Sequence, residues 1–540
     1  MKIRSDILRT YQSIHTWTGI IAGLFLFIGF YAGSLTMFKP QITQWATPPS
    51  HNLPQVNISQ LDDLVAQAMA SHDKAKQGFI INFEQDKSPI AWYEKGGGRG
   101  IRLDDRLMQG SLTDNDELIT VSSSSNKLGN LIDQLHRTAG IAGKVGHERL
   151  GILVLGIAAL LYFLALVSGV IFLLPTLMKT LFALRKNKGA NRFWLDSHNL
   201  VGIFSLPFHL IIAWSVIVFA FHDVLYGGLS LIYGDEPMFT PREQSTISYS
   251  VADLQPVTSY LTEINAISEG YRISSMAFSK LESTSPSLAV KLVGDNTIMR
   301  GGYSDYIYMN PYTKKIAFNT IANDDAGVYA AIVNSFFGLH FGNYAGQFGR
   351  WLYFIMGLLG AFLFYSGNLL WLEKRRQKQG GQTRSSYIMA ALTVGVCLGS
   401  ILGVCSAILA TKWLYIFDDQ PNYYYLYCYY LSFFGAIGYA LWRGAAIAAI
   451  HLLRLLAIAC LLIPVTSLIL AYLPLFDTWA LRDFYGFSIE VVATLFSLLF
   501  YIASRKTYQR AHNGEPNSIW AITTKTQSSQ GLSSLKTETI

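Results

Sequence analysis

The chain has 540 residues, of which 51% are hydrophobic and only 14% are charged, and its formal net charge is +7 at pH 7. Several apolar runs are close to 20 residues long, enough to cross a hydrocarbon layer of about 30 Å. This composition excludes an ordinary soluble globular protein and predicts a polytopic α-helical membrane protein. The positive charge is not gathered into a soluble, basic domain with interleaved aromatic residues, which argues against a nucleic-acid partner.

Hydropathy predicts eight membrane-spanning helices. They are expected at 17–38, 150–174, 199–221, 351–372, 388–411, 423–442, 455–474 and 484–503. Lys and Arg concentrate before the first span, in the loops 175–198 and 373–387, beside the link after the sixth span, and after the last span. The positive-inside rule then places both termini in the cytoplasm, so the net charge is a signal of topology.

Two long polar inserts, 39–149 and 222–350, are therefore expected on the outer, periplasmic side. Each begins with a helix-like run and continues into alternating stretches, such as 78–83 and 287–293, that are typical of strands. Each insert is predicted to be a small α+β domain. Residues 504–540 are predicted to form a cytoplasmic tail, disordered from Gly514 onward because it is rich in Ser, Thr, Gln and Lys.

A repeat with matched histidines is the most informative feature of the chain. His15 precedes the first span, and His136, preceded by Leu, comes ahead of the second span. His198 precedes the third span, and His340, again preceded by Leu, comes ahead of the fourth. A polar residue at a helix entrance is the ordinary interpretation of any one of these histidines. Their recurrence in both copies favours ligands of a shared cofactor.

Parallel repeats generate a pseudo-twofold axis along the membrane normal. This axis would pair His15 with His198 near the cytoplasmic side and His136 with His340 near the outer side. A haem iron with two imidazole ligands has no open site and suits electron transfer. The two-helix hairpins are therefore predicted to form a four-helix haem-binding bundle, with residues 388–503 as an accessory bundle of four more spans.

One glycine accompanies the first histidine of each copy. Gly19 and Gly202 each follow by four residues, on the same helical face. They are predicted to let a flat macrocycle lie close to the helix backbone. Close packing between helices is the alternative explanation for these small residues.

His209 breaks the repeat, because its counterpart in the first copy is Leu26. On a continuous helix it would point the same way as His198 and lie about 16 Å deeper. An ionisable residue at that depth is a functional candidate by default, here as a ligand or a haem contact.

Other candidates are weaker. His222 and His147 are alternatives that could replace one of the four proposed ligands. Zinc catalysis is disfavoured, because Glu148 after His147 completes no HExxH pattern. Glu490, inside the last span, is expected to pair with Arg482 or a backbone group rather than to carry protons.

No nucleotide-binding motif is found. The glycines at 96–100 lack the Lys-Ser/Thr of a phosphate-binding loop, and no Rossmann fingerprint is present. Electrons would therefore come from a membrane quinol or from a separate cytoplasmic reductase.

These histidine motifs resemble those of the PepSY-associated transmembrane family of bacterial inner-membrane proteins. The likeness covers about residues 8–376, and the stretch 308–314 resembles the closing strand of a PepSY domain. The resemblance implies two PepSY-like inserts and two haem b groups bound by His15, His136, His198 and His340. It also implies a ferric-siderophore reductase or iron-uptake factor.

The expected activity is reduction of ferric iron in the periplasm, with a ferric siderophore as the chelate, for iron uptake. Two alternatives stay open. One is a permease for the siderophore or for iron without redox activity, and the other is a regulatory or protein-binding membrane protein of PepSY type.

Overall fold

The structure is a computed structural model in which most of the chain is described. The described residues are 4–47, 53–84, 87–97, 103–124, 126–146, 148–180, 182–185, 189–233, 246, 248–294, 297–321, 327–379, 383–418, 421–472, 484–514 and 518–522. The α-helices are α1 Ser5–Thr36, α2 Lys39–Ala46, α3 Leu61–Ser71, α4 Asp73–Gln77, α5 Leu128–Thr138, α6 Leu150–Leu173, α7 Leu177–Thr180, α8 Ala190–Phe204, α9 Leu206–Ala220, α10 His222–Tyr233, α11 Val257–Ile267, α12 Gly327–Phe341, α13 Gly346–Gln379, α14 Arg384–Phe417, α15 Asn422–Arg443, α16 Ala445–Ala471 and α17 Phe484–Asn513. The strands are β1 Ile80–Asn82, β2 Ile90–Lys95, β3 Arg106–Leu112, β4 Leu118–Ser124, β5 Lys144–Val145, β6 Glu148–Arg149, β7 Tyr271–Ser279, β8 Ser287–Gly294, β9 Asp305–Met309 and β10 Ile316–Asn319.

The chain is a polytopic helical membrane protein, with fewer clear spans than the eight predicted. Among the described residues, six helices are long and apolar enough to cross a membrane: α1, α6, α13, α14, α16 and α17. The span of α6 includes the turn after it, to Thr176, and the span of α13 includes the turn before it, from Asn343. The bent pair of α8 and α9 makes a seventh if it counts as one span. The predicted sixth span corresponds to α15, which is not among these helices because its run of tyrosines lowers its hydropathy.

The predicted third span is broken. Helices α8 and α9 meet at Ser205 with a bend of 68°, and Pro207 lies in the first turn of α9. Proline has no amide proton to donate and favours the start of a helix over its interior. The prediction that His198 and His209 share one straight helical face is therefore wrong, and Pro207 is the physical reason.

The two inserts form one sheet. Its eight strands have the order β10-β9-β8-β7-β1-β2-β3-β4, and every neighbouring pair whose register is described is antiparallel. Each insert contributes a four-stranded meander, β1 to β4 or β7 to β10. The two meanders join where β1 pairs with β7, with Ile81 opposite Met276.

One face of this sheet is covered by helices from both inserts. Leu64 of α3 and Tyr260 of α11 are fully buried against strand residues such as Trp92 and Val290. Burial alternates along β8 and β9, as expected for a sheet with one face in a core. We call the end of the helical bundle that carries the sheet the insert end, and the opposite end the loop end.

The accessory helices α14 to α17 pack against the first copy of the repeat. Nδ2 of Asn126 donates to the hydroxyl of Tyr425 at 2.9 Å, and the backbone amide of Lys127 donates to Oδ1 of Asn422 at 2.9 Å. Both bonds hold the residues that lead into α5. The accessory bundle therefore fixes the start of the helix that carries His136.

The predicted disordered tail is wrong in part. Helix α17 continues to Asn513, and Ile519 and Trp520 are buried against the accessory bundle. The hydroxyl of Ser518 donates to Oε2 of Glu373 at 3.3 Å. Two large apolar side chains in an otherwise polar segment explain this docking. Residues 523–540 lie outside the described part of the chain.

Candidate haem-binding histidine pairs

One pair of predicted ligands lies at the loop end of the bundle. His15 of α1 and His198 of α8 have ring centres 6.4 Å apart and ring planes at 78°. Nδ1 of His15 is 2.8 Å from the carbonyl oxygen of Ala165 in α6, and Nδ1 of His198 is 3.0 Å from Oγ of Ser366 in α13. Each ring is thus held by the second spanning helix of its own copy. We call these two residues the loop-end pair.

The other pair lies at the insert end. His136 of α5 and His340 of α12 have ring centres 6.3 Å apart and planes at 35°. Nδ1 of His136 is 2.9 Å from the carbonyl oxygen of Gly29 in α1, and Nδ1 of His340 is 2.7 Å from Oγ of Ser215 in α9. Here each ring is held by the first spanning helix of its copy. We call these two residues the insert-end pair.

The hydrogen bonds determine which ring nitrogen is protonated. A carbonyl oxygen only accepts, so His15 and His136 must donate from Nδ1. Ser215 and Ser366 each have a backbone carbonyl of their own helix in reach of the hydroxyl proton, at 2.7 and 3.3 Å. With the proton on that carbonyl, each serine oxygen accepts from histidine Nδ1. In this arrangement all four imidazoles carry the lone pair on Nε2, and such an orienting bond on the far nitrogen is typical of metal-bound histidine.

The spacing of each pair fits a shared metal ion. An imidazole nitrogen lies about 2 Å from a bound metal, so two rings on opposite sides of one ion have centres about 6 Å apart. The observed 6.4 and 6.3 Å agree with this arrangement. Two neutral Nε2 donors without a carboxylate are also the donor set of a haem iron with two imidazole ligands. The residues present therefore fit two haem groups.

The family described as the PepSY-associated TM region matches residues 12–374. The chain belongs to this family. The match confirms the resemblance seen in the sequence and includes all four paired histidines. No curated protein matches the chain significantly.

Two glycines that were not predicted, Gly33 and Gly169, approach the histidines closely, and the role of Gly19 and Gly202 beside a macrocycle stays a prediction. A Cβ at Gly33 would lie 2.7 Å from Nδ1 of His136, and one at Gly169 would lie 2.8 Å from Nδ1 of His15. A Cβ at Gly19 would meet nothing within 4 Å, and one at Gly202 would only touch Leu363, at 3.8 Å. The close approach is thus between imidazole and the opposite helix of the same copy.

His209 lies between the two pairs rather than in either of them. It is fully buried, and its ring contacts are with Phe30, Tyr162 and Phe208, at 5.2 to 5.9 Å between centres. In the described part of the chain, neither of its ring nitrogens has a hydrogen-bond partner. It therefore remains a candidate contact within the bundle, but the structure gives it no second imidazole across a shared metal.

The remaining sequence candidates lie elsewhere. His222 begins α10 at the insert end, and its ring contact is with Tyr226. His147 lies outside the described residues. Glu490 accepts a hydrogen bond from Nε1 of Trp45 at 3.4 Å, whereas its expected partner Arg482 also lies outside the described residues.

A cavity of about 250 Å³ adjoins the insert-end pair and extends to Gly302 and Tyr303, in the loop that precedes β9. Its lining is largely apolar and includes Gly33, both paired histidines and Tyr303. The hydroxyl of Tyr303 donates to the carbonyl oxygen of Thr36. Burial raises the pKa of Tyr303 above its usual value, against the opposing influence of the nearby Arg350 guanidinium. The phenol therefore stays protonated as a donor at the mouth of this cavity.

Proposed function

We propose that this protein holds two b-type haems and reduces chelated ferric iron, with a siderophore as the chelate, on the periplasmic side of the bacterial inner membrane. The observation that carries the proposal is the pair of histidine couples, each with ring centres about as far apart as one shared metal ion requires and each with Nδ1 already engaged.

Haem iron with two imidazole ligands supplies one-electron transfer without an open site for oxygen. The protein residues determine where it is held. His15 and His198 would hold one group at the loop end, and His136 and His340 would hold the other at the insert end. The bonds at Nδ1 would fix the orientation of each ring, leave Nε2 for the metal and raise its basicity as a ligand.

The two pairs lie at different depths. Along α1, Gly29 receives the bond from His136 and follows His15 by 14 residues, which is about 21 Å of helix. The space between is filled by aromatic side chains, including Phe30, Tyr162 and Phe364. These rings exclude water from the membrane core, so the residues favour passage of electrons over passage of ions.

The insert end is the side at which the ferric chelate would be reduced. The eight-stranded sheet lies there, and the cavity beside His136 and His340 extends to the loop that precedes β9. One electron converts Fe(III) to Fe(II), which hard oxygen ligands hold less strongly, so the iron is released from its chelate. The electron would enter at the loop end, from a quinol or a cytoplasmic reductase.

The decisive experiment is a reduced-minus-oxidised absorbance spectrum of the purified full chain, with haem quantified per polypeptide. We expect b-type bands and two haems per chain. Protein purified intact from haem-replete cells but without absorbance in the Soret region would overturn the proposal. His451→Ala, in the accessory bundle, is the matched control and should keep both groups.

A second candidate function is transport of iron or its chelate, which His209 favours because a buried imidazole without a partner could contact a passing solute. Uptake of labelled ferric chelate into proteoliposomes without a reductant would separate the two functions. Transport that persists without haem and is lost in His209→Ala would favour the permease.

A further inference from the structure

Three metal-ligating side chains meet at the insert end, outside the two histidine pairs. Glu148 is in β6, directly before α6, and His222 and Asp223 begin α10, directly after α9. Helices α6 and α9 pack closely, since a Cβ at Gly156 would lie 2.4 Å from Cβ of Ala220. The three side chains thus come from the base of both inserts and are brought together by the packing of two spanning helices.

Their ligand atoms are close enough to share one ion. One atom from each of Glu148, His222 and Asp223 lies within 4.8 Å of the other two. Nε2 of His222 is 3.1 Å from Oδ1 of Asp223. Ligand atoms that surround a first-row metal at about 2 Å are about 3 to 4 Å apart. The His222–Asp223 separation lies in this range, and the 4.8 Å limit for the three atoms is slightly above it.

The imidazole is oriented for metal binding. Nδ1 of His222 donates to the carbonyl oxygen of Phe219 at 2.8 Å. This bond leaves the Nε2 lone pair on the side of the two carboxylates, by the same arrangement that orients all four paired histidines. The side chains of His222 and Asp223 are 42% and 61% exposed, so an ion can enter from solvent and leave again.

We propose that Glu148, His222 and Asp223 bind a divalent first-row transition-metal ion at the insert end. One imidazole with two carboxylates suits Fe²⁺, Mn²⁺ or Zn²⁺ better than Ca²⁺, which prefers oxygen ligands alone. In the working protein the ion is Fe²⁺ released from its chelate, an assignment that rests on the proposed function.

The position of the site explains this assignment. Phe219, which receives the bond from His222, also packs against His340 of the insert-end pair, with ring centres 4.9 Å apart. The three ligands are therefore one side chain away from the place where ferric iron would be reduced. A weak site there would bind the ferrous ion as it dissociates from its chelate.

The test uses Mn²⁺, which is redox-inert under these conditions and loses its six-line solution EPR signal when it binds. Detergent-solubilised full chain, with haem content measured, is titrated with Mn²⁺ and then with Fe²⁺ under anaerobic conditions as a competitor. We expect one Mn²⁺ per chain, displaced by Fe²⁺. Glu148→Gln, His222→Gln and Asp223→Asn should each weaken binding at least about tenfold, with the haem spectrum unchanged.

His512→Gln is the matched control, because Nδ1 of His512 likewise bonds a nearby backbone carbonyl, that of Tyr508, at 2.9 Å. This variant should bind Mn²⁺ like the wild type. If the wild type binds no Mn²⁺, or if all three site variants bind it unchanged, the metal site is refuted while two bound haems would stand. If Mn²⁺ binds but the chain carries no haem, the site stands and its ferrous role falls with the proposed function.

Discussion

The two copies of the repeat hold their histidines by different chemistry. In the first copy, His15 and His136 donate to backbone carbonyls, whereas in the second copy, His198 and His340 are hydrogen-bonded to serine hydroxyls. In both copies Nδ1 makes this bond, so Nε2 is the ring nitrogen that remains for a metal. The difference teaches that the position of the imidazole is common to both copies, while the group that orients it is not.

The largest expected effect separates the two ends of the bundle. His198→Ala should remove the loop-end haem and His340→Ala the insert-end haem, so each variant should retain one group instead of two. The physical reason is that each variant would lose one of the two imidazoles that would hold the group at its end. Haem quantification with low-temperature difference spectra measures this. The two residual spectra should differ, because His198→Ala keeps only the insert-end haem and His340→Ala keeps only the loop-end haem. Two haems in both variants would refute the ligand assignment.

A second prediction concerns the first copy, where the backbone of α1 at Gly33 lies against the imidazole of His136. Gly33→Ala places a methyl group 2.7 Å from Nδ1 of His136, so the ring must shift and the insert-end haem should be lost or greatly depleted. Gly438→Ala, in the accessory helix α15, is the matched control, and it should retain both groups because the new methyl meets no other side chain within 4 Å. Equal haem content in the two variants would contradict the geometry.

In the second copy the orienting groups can be removed directly. Ser215→Ala and Ser366→Ala should each lower haem affinity at their own end by about 10–100-fold, the usual cost of losing the bond that orients a metal-bound histidine. We expect the larger effect for Ser215, whose oxygen lies 2.7 Å from Nδ1 compared with 3.0 Å for Ser366. Haem transfer to apomyoglobin measures this, and Ser400→Ala, in the accessory helix α14, should change nothing.

The smallest expected effect concerns the hydrogen bond that joins the start of α5, in the first copy, to the accessory bundle. Asn126→Ala removes the buried amide that bonds Tyr425 of the accessory bundle, and it should lower the free energy of unfolding by about 1–3 kcal/mol. Thermal unfolding followed by loss of haem absorbance measures the change. Tyr387→Phe, which removes an exposed bond to Leu441 within the accessory bundle, should unfold like the wild type. Equal unfolding of both variants would show that α5 does not depend on this contact.

The sequence predicted the pairing of the four histidines because a repeat places equivalent residues at equivalent helix ends, whatever the details of packing. It did not predict what orients them. Ser215 and Ser366 are ordinary polar residues inside spans, and the carbonyls of Gly29 and Ala165 have no signature in the sequence. Nor did it predict the close approach of Gly33 and Gly169 to the histidines, because spacing along one helix says nothing about the opposite helix.

The break between α8 and α9 could have been foreseen, since Pro207 follows Ser205 closely in an otherwise apolar run. The single sheet could not, because its central contact joins β1 to β7 across almost 200 residues, and alternation within a strand does not name its partner. The alternating pattern predicted strands in each insert, but it could not predict that the two groups of strands join in one sheet.

The β1–β7 seam has a consequence for the ancestry of the molecule. A protein with one copy alone would expose the edge of β1 or β7, with unpaired amide and carbonyl groups. Two such half-length chains would close that edge against each other, and each histidine couple would then be shared between subunits. Half-length relatives built on this plan should accordingly be obligate homodimers, and fusion into one polypeptide would have made that partnership permanent.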